Sequence, residues 1–153
     1  MKAKWVIACS LLLFCMACSM TALEFRKNES EAVIWPGIAT LCLGLLGPLI
    51  GCFAWFANPF WFVALILLYL QRNVPAAVCA GLALLISCNT WVLFSCDIPG
   101  DEGGMSKLIL QRIGEGTYLW MASMAVVLVG AFLVPRRLVD PMAIRVVDRN
   151  NVE

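Results

Sequence analysis

The stretch FAWFANPFWF (53–62) decides the fold, because it places an Asn-Pro pair inside the longest apolar run of the chain. No charged residue occurs from position 32 to position 71. As a single helix, 37–71 would be about 52 Å long, which exceeds the ~30 Å hydrocarbon core of a bilayer. Two full crossings plus a turn would leave each crossing short. The length therefore predicts a broken segment, a half-length helix plus one full span, joined near Asn58-Pro59.

The composition indicates a membrane protein with several spans. Of 153 residues, 62% are hydrophobic and 14% are charged, against roughly a quarter charged in soluble proteins. Three further charge-free windows have nearly the ~20 residues that cross a bilayer. We therefore predict an all-α membrane protein, a four-span helical bundle that forms one domain over 1–153. The predicted parts are spans near 5–23, 37–71 (broken), 75–95 and 116–134, an outer loop 96–115 and a cytoplasmic tail 136–153.

The positions of lysine and arginine predict the orientation. If 37–71 crosses once and the chain starts inside, seven basic residues lie inside and four lie outside. If 37–71 crosses twice, the ratio inverts. The single crossing is therefore favoured, with both termini in the cytoplasm. The inner basic residues are then Lys2, Lys4, Arg72, Arg136, Arg137, Arg145 and Arg149.

The first segment has two further interpretations that stay open. Its basic start, its apolar centre and the small residues near 17–19 also fit a cleavable signal peptide. Met16-Ala17-Cys18 also suits lipid attachment at Cys18, although Cys15 stands where leucine is usual. Neither alternative changes the orientation predicted for the remainder.

Small residues recur at spacings of three and four along the long segment, which would place them on one face of a continuous helix. Small side chains allow transmembrane helices to approach closely. We predict a helix-packing face that ends at the helix junction, where Asn58 caps the next helix and Pro59 takes its first position. The members of this face are Gly37, Thr40, Gly44, Gly47, Gly51, Ala54 and Asn58.

Aromatic residues flank the same junction. Tryptophan and other aromatic side chains favour the membrane–water interface. We therefore predict that four of them lie at an interface: Trp55, Phe56, Phe60 and Trp61.

The predicted outer loop carries acidic residues and turn signals. The spacing of Asp97, Asp101 and Glu102 matches no calcium-binding loop, so no metal site is predicted. Apolar residues at 105, 108, 109 and 113 predict a short surface helix over the bundle.

Two motifs resemble a known group of proteins. GLLGPLIGCFAWFANPF (44–60) and GEGTYLWMASM (114–124) are similar to uncharacterised small four-helix bacterial membrane proteins. The resemblance implies the bacterial inner membrane and a four-span layout. It implies no activity and no catalytic residue.

The residue types argue against chemistry. The chain has no histidine, so serine catalysis lacks its usual base. Glycine-rich phosphate loops are absent, and no Asp, Glu, Lys, Arg or His lies within the four windows, where an ion-coupled pump would need one. We expect a protein without enzymatic activity or cofactor that acts by interaction, as an accessory, assembly or envelope-associated component.

Two other functions stay open. One is a transporter subunit for an uncharged or lipidic solute, and the other is thiol–disulfide exchange through Cys15 and Cys18. The expected partners are the lipid bilayer and another membrane protein or a second copy of the chain. A net charge of +1 gives no reason to expect nucleic acid.

Overall fold

The computed structural model describes residues 2–27, 31–96, 98–99 and 107–135. The predicted tail 136–153 and the acidic residues Asp97, Asp101 and Glu102 lie outside this part. The elements in chain order are α1 (Ala3–Ser19), β1 (Thr21–Lys27), β2 (Glu31–Pro36), α2 (Gly37–Leu43), a 3₁₀ helix (Gly44–Ile50), a second 3₁₀ helix (Ala54–Phe56), α3 (Ala57–Tyr69), α4 (Asn73–Ser87), a third 3₁₀ helix (Cys88–Ser95), β3 (Ile98–Pro99), β4 (Lys107–Ile113) and α5 (Glu115–Leu133).

Four helices, α1, α3, α4 and α5, form a bundle of antiparallel neighbours. Val6 near the start of α1 lies against Gly130 near the end of α5. The side-chain amide of Asn73, the first residue of α4, donates to the Val134 carbonyl just beyond α5 at 2.6 Å. A tight turn at 70–72 joins α3 to α4. We call this end of the bundle the turn end.

The interior of the bundle is built from small side chains around one large one. The buried residues of α4 recur at spacings of three and four and are small, which allows close approach of α3 and α5. Trp61 of α3 is fully buried and stacks on Phe14 of α1 with ring centroids 4.4 Å apart. The small inner residues of α4 are Ala76, Ala80, Ala83 and Ser87.

The long apolar segment is broken, but the break lies upstream of the predicted junction. A short α-helix and a 3₁₀ helix form one part, Gly37–Ile50, which we call the lateral segment. Gly51 ends it with a φ of 78°, and the second part, Ala54–Tyr69, then runs to the turn end. The chain therefore passes from one end of the bundle to the other once between 37 and 72.

The prediction of an all-α protein is wrong for the connections outside the bundle. Residues in 21–36 and 98–113 form a four-stranded antiparallel sheet in the order β2-β1-β4-β3. The described part of the short helix predicted over 105–113, Lys107–Ile113, is strand β4. Because β1 follows α1 and β4 precedes the antiparallel α5, the two segments leave the bundle side by side. The backbone N–H and C=O groups of β1 and β4 then form hydrogen bonds with one another. We call this end the sheet end.

Two helical stretches, Asn73–Ser95 and Glu115–Leu133, are long and apolar enough to cross a membrane by length and composition. Only 28% and 39% of their most apolar windows are buried within the protein, so most residues of these windows are exposed or only half-buried. Three shorter helical stretches are also apolar: Ala3–Ser19, Gly37–Ile50 and Ala54–Tyr69.

The charged residues of the described part lie only at the two ends of the bundle. The turn end carries basic residues alone, whereas the sheet end carries both signs. The turn-end residues are Lys2, Lys4 and Arg72. The sheet-end residues are Glu24, Arg26, Lys27, Glu31, Lys107, Arg112 and Glu115.

Candidate functional site

A cavity of about 470 Å³ lies between the sheet, the lateral segment and the sheet end of the bundle. Phe25 and Trp35 of the sheet form one wall, and Leu41 and Ile50 of the lateral segment form another. Trp120 of α5 closes the side toward the bundle. The volume falls within the range of about 300–1,000 Å³ that is usual for small-molecule sites.

Among the residues that the structure describes, the cavity wall contains no charged side chain. The hydroxyl groups that line it donate to backbone carbonyls. Thr90 donates to the Ser87 carbonyl at 2.8 Å, and Thr117 donates to the Ala22 carbonyl at 2.9 Å. The third lining hydroxyl, of Thr40, donates to a carbonyl one turn back in the chain at 3.3 Å. These hydroxyl hydrogens hold the wall together and are not available to a ligand.

The residues of the predicted packing face do not lie along one helix. They are spread over α2, two 3₁₀ helices and α3, because the chain turns at Gly51. Most of them line the cavity and do not form a contact face for one neighbouring helix. Those that line the cavity are Gly37, Thr40, Gly44, Gly47, Ala54 and Asn58.

Three glycines of this set are needed where the chain passes close to other atoms. A side chain at Gly44 would begin 2.8 Å from the Trp55 ring, and one at Gly47 would meet the Cys52 carbonyl. Gly37 is similarly close to the end of α1. Gly51 differs, since nothing lies within 4 Å of its position for a Cβ. Its glycine is explained by the left-handed φ, which side chains disfavour.

Asn58 does not cap α3, which begins at Ala57 without a side-chain cap. The preceding 3₁₀ helix runs directly into α3, so the Ala57 N–H already binds the carbonyls of Ala54 and Trp55. The Asn58 amide joins two other groups: its Nδ2 donates to the Trp55 carbonyl at 3.0 Å, and its Oδ1 accepts from Trp120 Nε1 at 2.8 Å. Because an indole N–H can only donate, this contact fixes the orientation of the amide.

The hydrogen bonds continue from Asn58 into the bundle. Ser123 Oγ donates to the Trp120 carbonyl at 2.6 Å, and Ser10 Oγ donates to the Ser123 carbonyl at 2.7 Å. Trp61 Nε1 donates to Ser10 Oγ at 2.9 Å. A connected series of polar groups therefore links the cavity wall to the centre of the bundle.

The four predicted interface aromatics occupy different environments. Trp55 is half-buried and donates through Nε1 to the Leu41 carbonyl at 2.8 Å. Phe56 and Phe60 are exposed. Trp61 is a fully buried residue of the bundle core, unlike the other three. Its position on α3 turns it toward α1, where Ser10 satisfies its polar atom.

The cavity residues Phe25, Trp35 and Trp120 were not predicted as site residues. Leu23 and Phe25 alternate with charged residues in β1, a period of two that indicates a half-buried strand. That signal was present in the sequence. Nothing in the sequence pairs this strand with 107–113.

No protein-family model, curated protein or solved structure matches the chain. The resemblance of 44–60 and 114–124 to small four-helix bacterial proteins therefore stays a prediction. The site has to be interpreted from its own chemistry.

The described residues contain no group of three His, Cys, Asp or Glu side chains that could hold a metal ion. The eight cysteines are free thiols. Within the same residues, one buried side-chain oxygen lacks a hydrogen-bond partner, Oδ1 of Asn73. It lies at the turn end, far from the cavity. The arrangement at the sheet end is therefore suited to holding an uncharged, apolar group.

Proposed function

We propose that this protein is a non-catalytic integral protein of the bacterial inner membrane, which crosses the membrane four times and acts by binding other membrane components. It would serve as an accessory, assembly or envelope-associated protein. The observation that carries the proposal is the separation of charge from the sides of the bundle. Between the two charged ends, the outward side chains are large and apolar, as at Leu12, Leu85 and Phe132.

Four stretches run between the two ends and would be the crossings: Ala3–Ser19, Ala54–Tyr69, Asn73–Ser95 and Glu115–Leu133. The described turn end carries three basic residues and no acidic one, which favours the cytoplasmic side. The sheet would then lie on the outer side. The lateral segment would remain in the outer half of the membrane, where its α-helical and 3₁₀ turns pair backbone groups within the segment itself.

Binding is favoured over catalysis by how the polar groups of the cavity are used. The lining hydroxyls donate to backbone carbonyls, so none is paired with a base that would make it a nucleophile. Cys15 and Cys18, the candidates for thiol exchange, lie in the last turns of α1. There the negative end of the helix dipole opposes a thiolate.

A transporter subunit for an uncharged or lipidic solute is the second candidate, and the cavity favours it. A transported solute must also leave toward the other end of the bundle. That path is filled by Trp61 stacked on Phe14, and beyond it by the fully buried Leu68. Holding a ligand therefore fits this structure better than passing it on.

Reporter fusions test the proposed topology. An alkaline phosphatase, which is active only outside the cytoplasm, should be inactive when fused after Glu153 and active when inserted at Gly104. The protein should also stay in the membrane pellet after alkaline carbonate extraction. Full phosphatase activity of the C-terminal fusion, or release by carbonate, would contradict the proposal.

A further inference from the structure

The mouth of the cavity lies on the outward surface of the lateral segment. Leu43, Leu46 and Leu49 all line the cavity, and they are also 45%, 58% and 83% exposed. The same leucines therefore face both the cavity and the surroundings of the protein. If the bundle is embedded as proposed above, these surroundings are lipid chains, and the cavity opens sideways into the membrane.

The interior of the cavity is chemically matched to hydrocarbon. The described residues of its wall carry no charge, its threonine hydroxyls are bound to carbonyls, and both polar groups of Asn58 have partners. A headgroup or a sugar placed inside would lose its hydrogen bonds to water and gain few in return, which is costly. A hydrocarbon chain loses nothing by entering.

An empty cavity of this size would be unfavourable inside a membrane. Wall atoms that face a void lose their dispersion contacts, and that loss is the cost seen when cavities are made in protein cores. In lipid, where apolar surface gains little by leaving its surroundings, such packing contacts are a main source of association. A neighbouring lipid chain can supply them through the leucine-lined mouth.

We propose that the cavity binds one hydrocarbon chain of an outer-leaflet phospholipid, which enters past the leucines of the lateral segment and leaves its headgroup outside. This inference rests on the proposed membrane insertion. It adds a binding site and the chemical class of its ligand.

Tryptophan fluorescence offers a direct probe, because Trp35, Trp55 and Trp120 line the cavity. The exposed Trp5 and Trp91 are first replaced by phenylalanine, which leaves Trp61 as the only other tryptophan. The protein is reconstituted in phosphatidylcholine vesicles with or without bromine atoms on the acyl chains, since bromine quenches tryptophan on contact. With three of the four remaining tryptophans at the cavity, brominated chains should quench most of the emission.

A matched pair on α1 separates chains in the cavity from chains around the protein. Cys18 lines the cavity, whereas Cys15, one turn earlier, is exposed and does not. Cys18→Phe should fill part of the cavity and restore emission in brominated vesicles. Cys15→Phe should leave the quenching unchanged. Equal quenching in these two variants would overturn the inference.

A second pair keeps the test independent of the folding of Cys18→Phe. Leu46 lines the cavity mouth and is 58% exposed, while Leu45 beside it is 56% exposed and does not line the cavity. Leu46→Phe should reduce quenching relative to Leu45→Phe. If brominated chains quench the Leu46→Phe and Leu45→Phe proteins equally, lipid chains do not enter past Leu46 and the inference fails.

The headgroup and membrane insertion are tested separately. Phosphatidylcholine and phosphatidylglycerol with the same brominated chains should quench equally, and quenching by only one of them would contradict recognition of the chain. Release of the protein from the vesicles by alkaline carbonate would overturn both proposals. Retention with no difference between the paired variants would overturn the chain site alone.

Discussion

The bundle interior and the sheet end use similar residues to opposite effect. In α4, Ala76, Ala80 and Ala83 recur at helical spacing and are fully buried against neighbouring helices. In the lateral segment, Thr40, Gly44 and Gly47 recur at the same spacings and line a cavity of about 470 Å³. A stripe of small residues therefore indicates a close backbone approach along a continuous helix, but it can also line a space where the helix is interrupted.

The interruption has a local cause. The lateral segment changes from an α-helix to a 3₁₀ helix at Gly44 and contains Pro48, which lacks a backbone donor. A 3₁₀ helix has three residues per turn, so residues spaced for 3.6 no longer share one straight face. At Gly51 the chain then turns back, so that Cys52 lies against Gly47 and Trp55 lies against Gly44. Helix α4 has no such interruption before residue 88, so its stripe stays in contact with one surface.

The largest effect should come from emptying the bundle interior. Trp61→Ala removes a fully buried ring, its stacking on Phe14 and its hydrogen bond to Ser10. The expected loss is about 3–5 kcal/mol of stability, as for other large core truncations. Thermal aggregation in mild detergent should report it. The adjacent Phe62→Ala, at a half-exposed site, is the control and should shift aggregation much less.

A smaller effect is expected where the sheet end is tightly packed. Gly47→Ala places a methyl group against the Cys52 carbonyl, and overpacking of this kind costs about 1–3 kcal/mol. Gly51→Ala meets no atom but must keep a positive φ, at about 1–2 kcal/mol. Asparagine tolerates that conformation better, so Gly51→Asn should recover part of the loss while Gly47→Asn should not. Equal behaviour of the two positions would mean that their different roles are misassigned.

Asn58 links the sheet end to the bundle interior through its hydrogen bonds. Replacing it tests how the two regions are joined. Asn58→Ala leaves Trp120 Nε1 without its partner, at about 1–3 kcal/mol. A lost helix cap would instead leave the tryptophans unaffected. In a protein that keeps only Trp61 and Trp120, the tryptophan fluorescence should therefore change in Asn58→Ala, because Trp120 loses its hydrogen bond. An unchanged spectrum with a small loss of stability would favour the cap.

The sequence allowed prediction of the helices, because charge-free windows of about 20 residues leave few alternatives. It also indicated that 37–71 is interrupted, since that length exceeds one span, but it placed the junction at Asn58-Pro59 and not at Gly51. The sheet could not be predicted in the same way. Apolar residues at 105, 108, 109 and 113 fit a helix, while Leu108, Leu110 and Ile113 are the ones that face the core in β4. The choice depends on β1, which is 80 residues away in sequence and becomes a neighbour only after α1 and α5 pack.

The role of Asn58 could not be predicted either, because it also depends on residues that are distant in sequence. An Asn-Pro pair is a usual signal for the start of a helix, and α3 does start there, at Ala57. The preceding turn had already satisfied the free N–H groups, which no local pattern reveals. Asn58 Oδ1 instead accepts a hydrogen bond from Trp120, which lies in a different helix, α5.

The central claim is that 37–71 crosses the membrane once, so that the turn end and the sheet end lie on opposite sides. It is tested most directly by introducing Arg72→Cys or Arg112→Cys, both at exposed positions, and labelling with a membrane-impermeant maleimide after the outer membrane has been opened. The labelling of the parent chain is subtracted. Arg112→Cys should react at once, whereas Arg72→Cys should react only after the inner membrane is permeabilised. Reaction of both positions from the same side would contradict the single crossing.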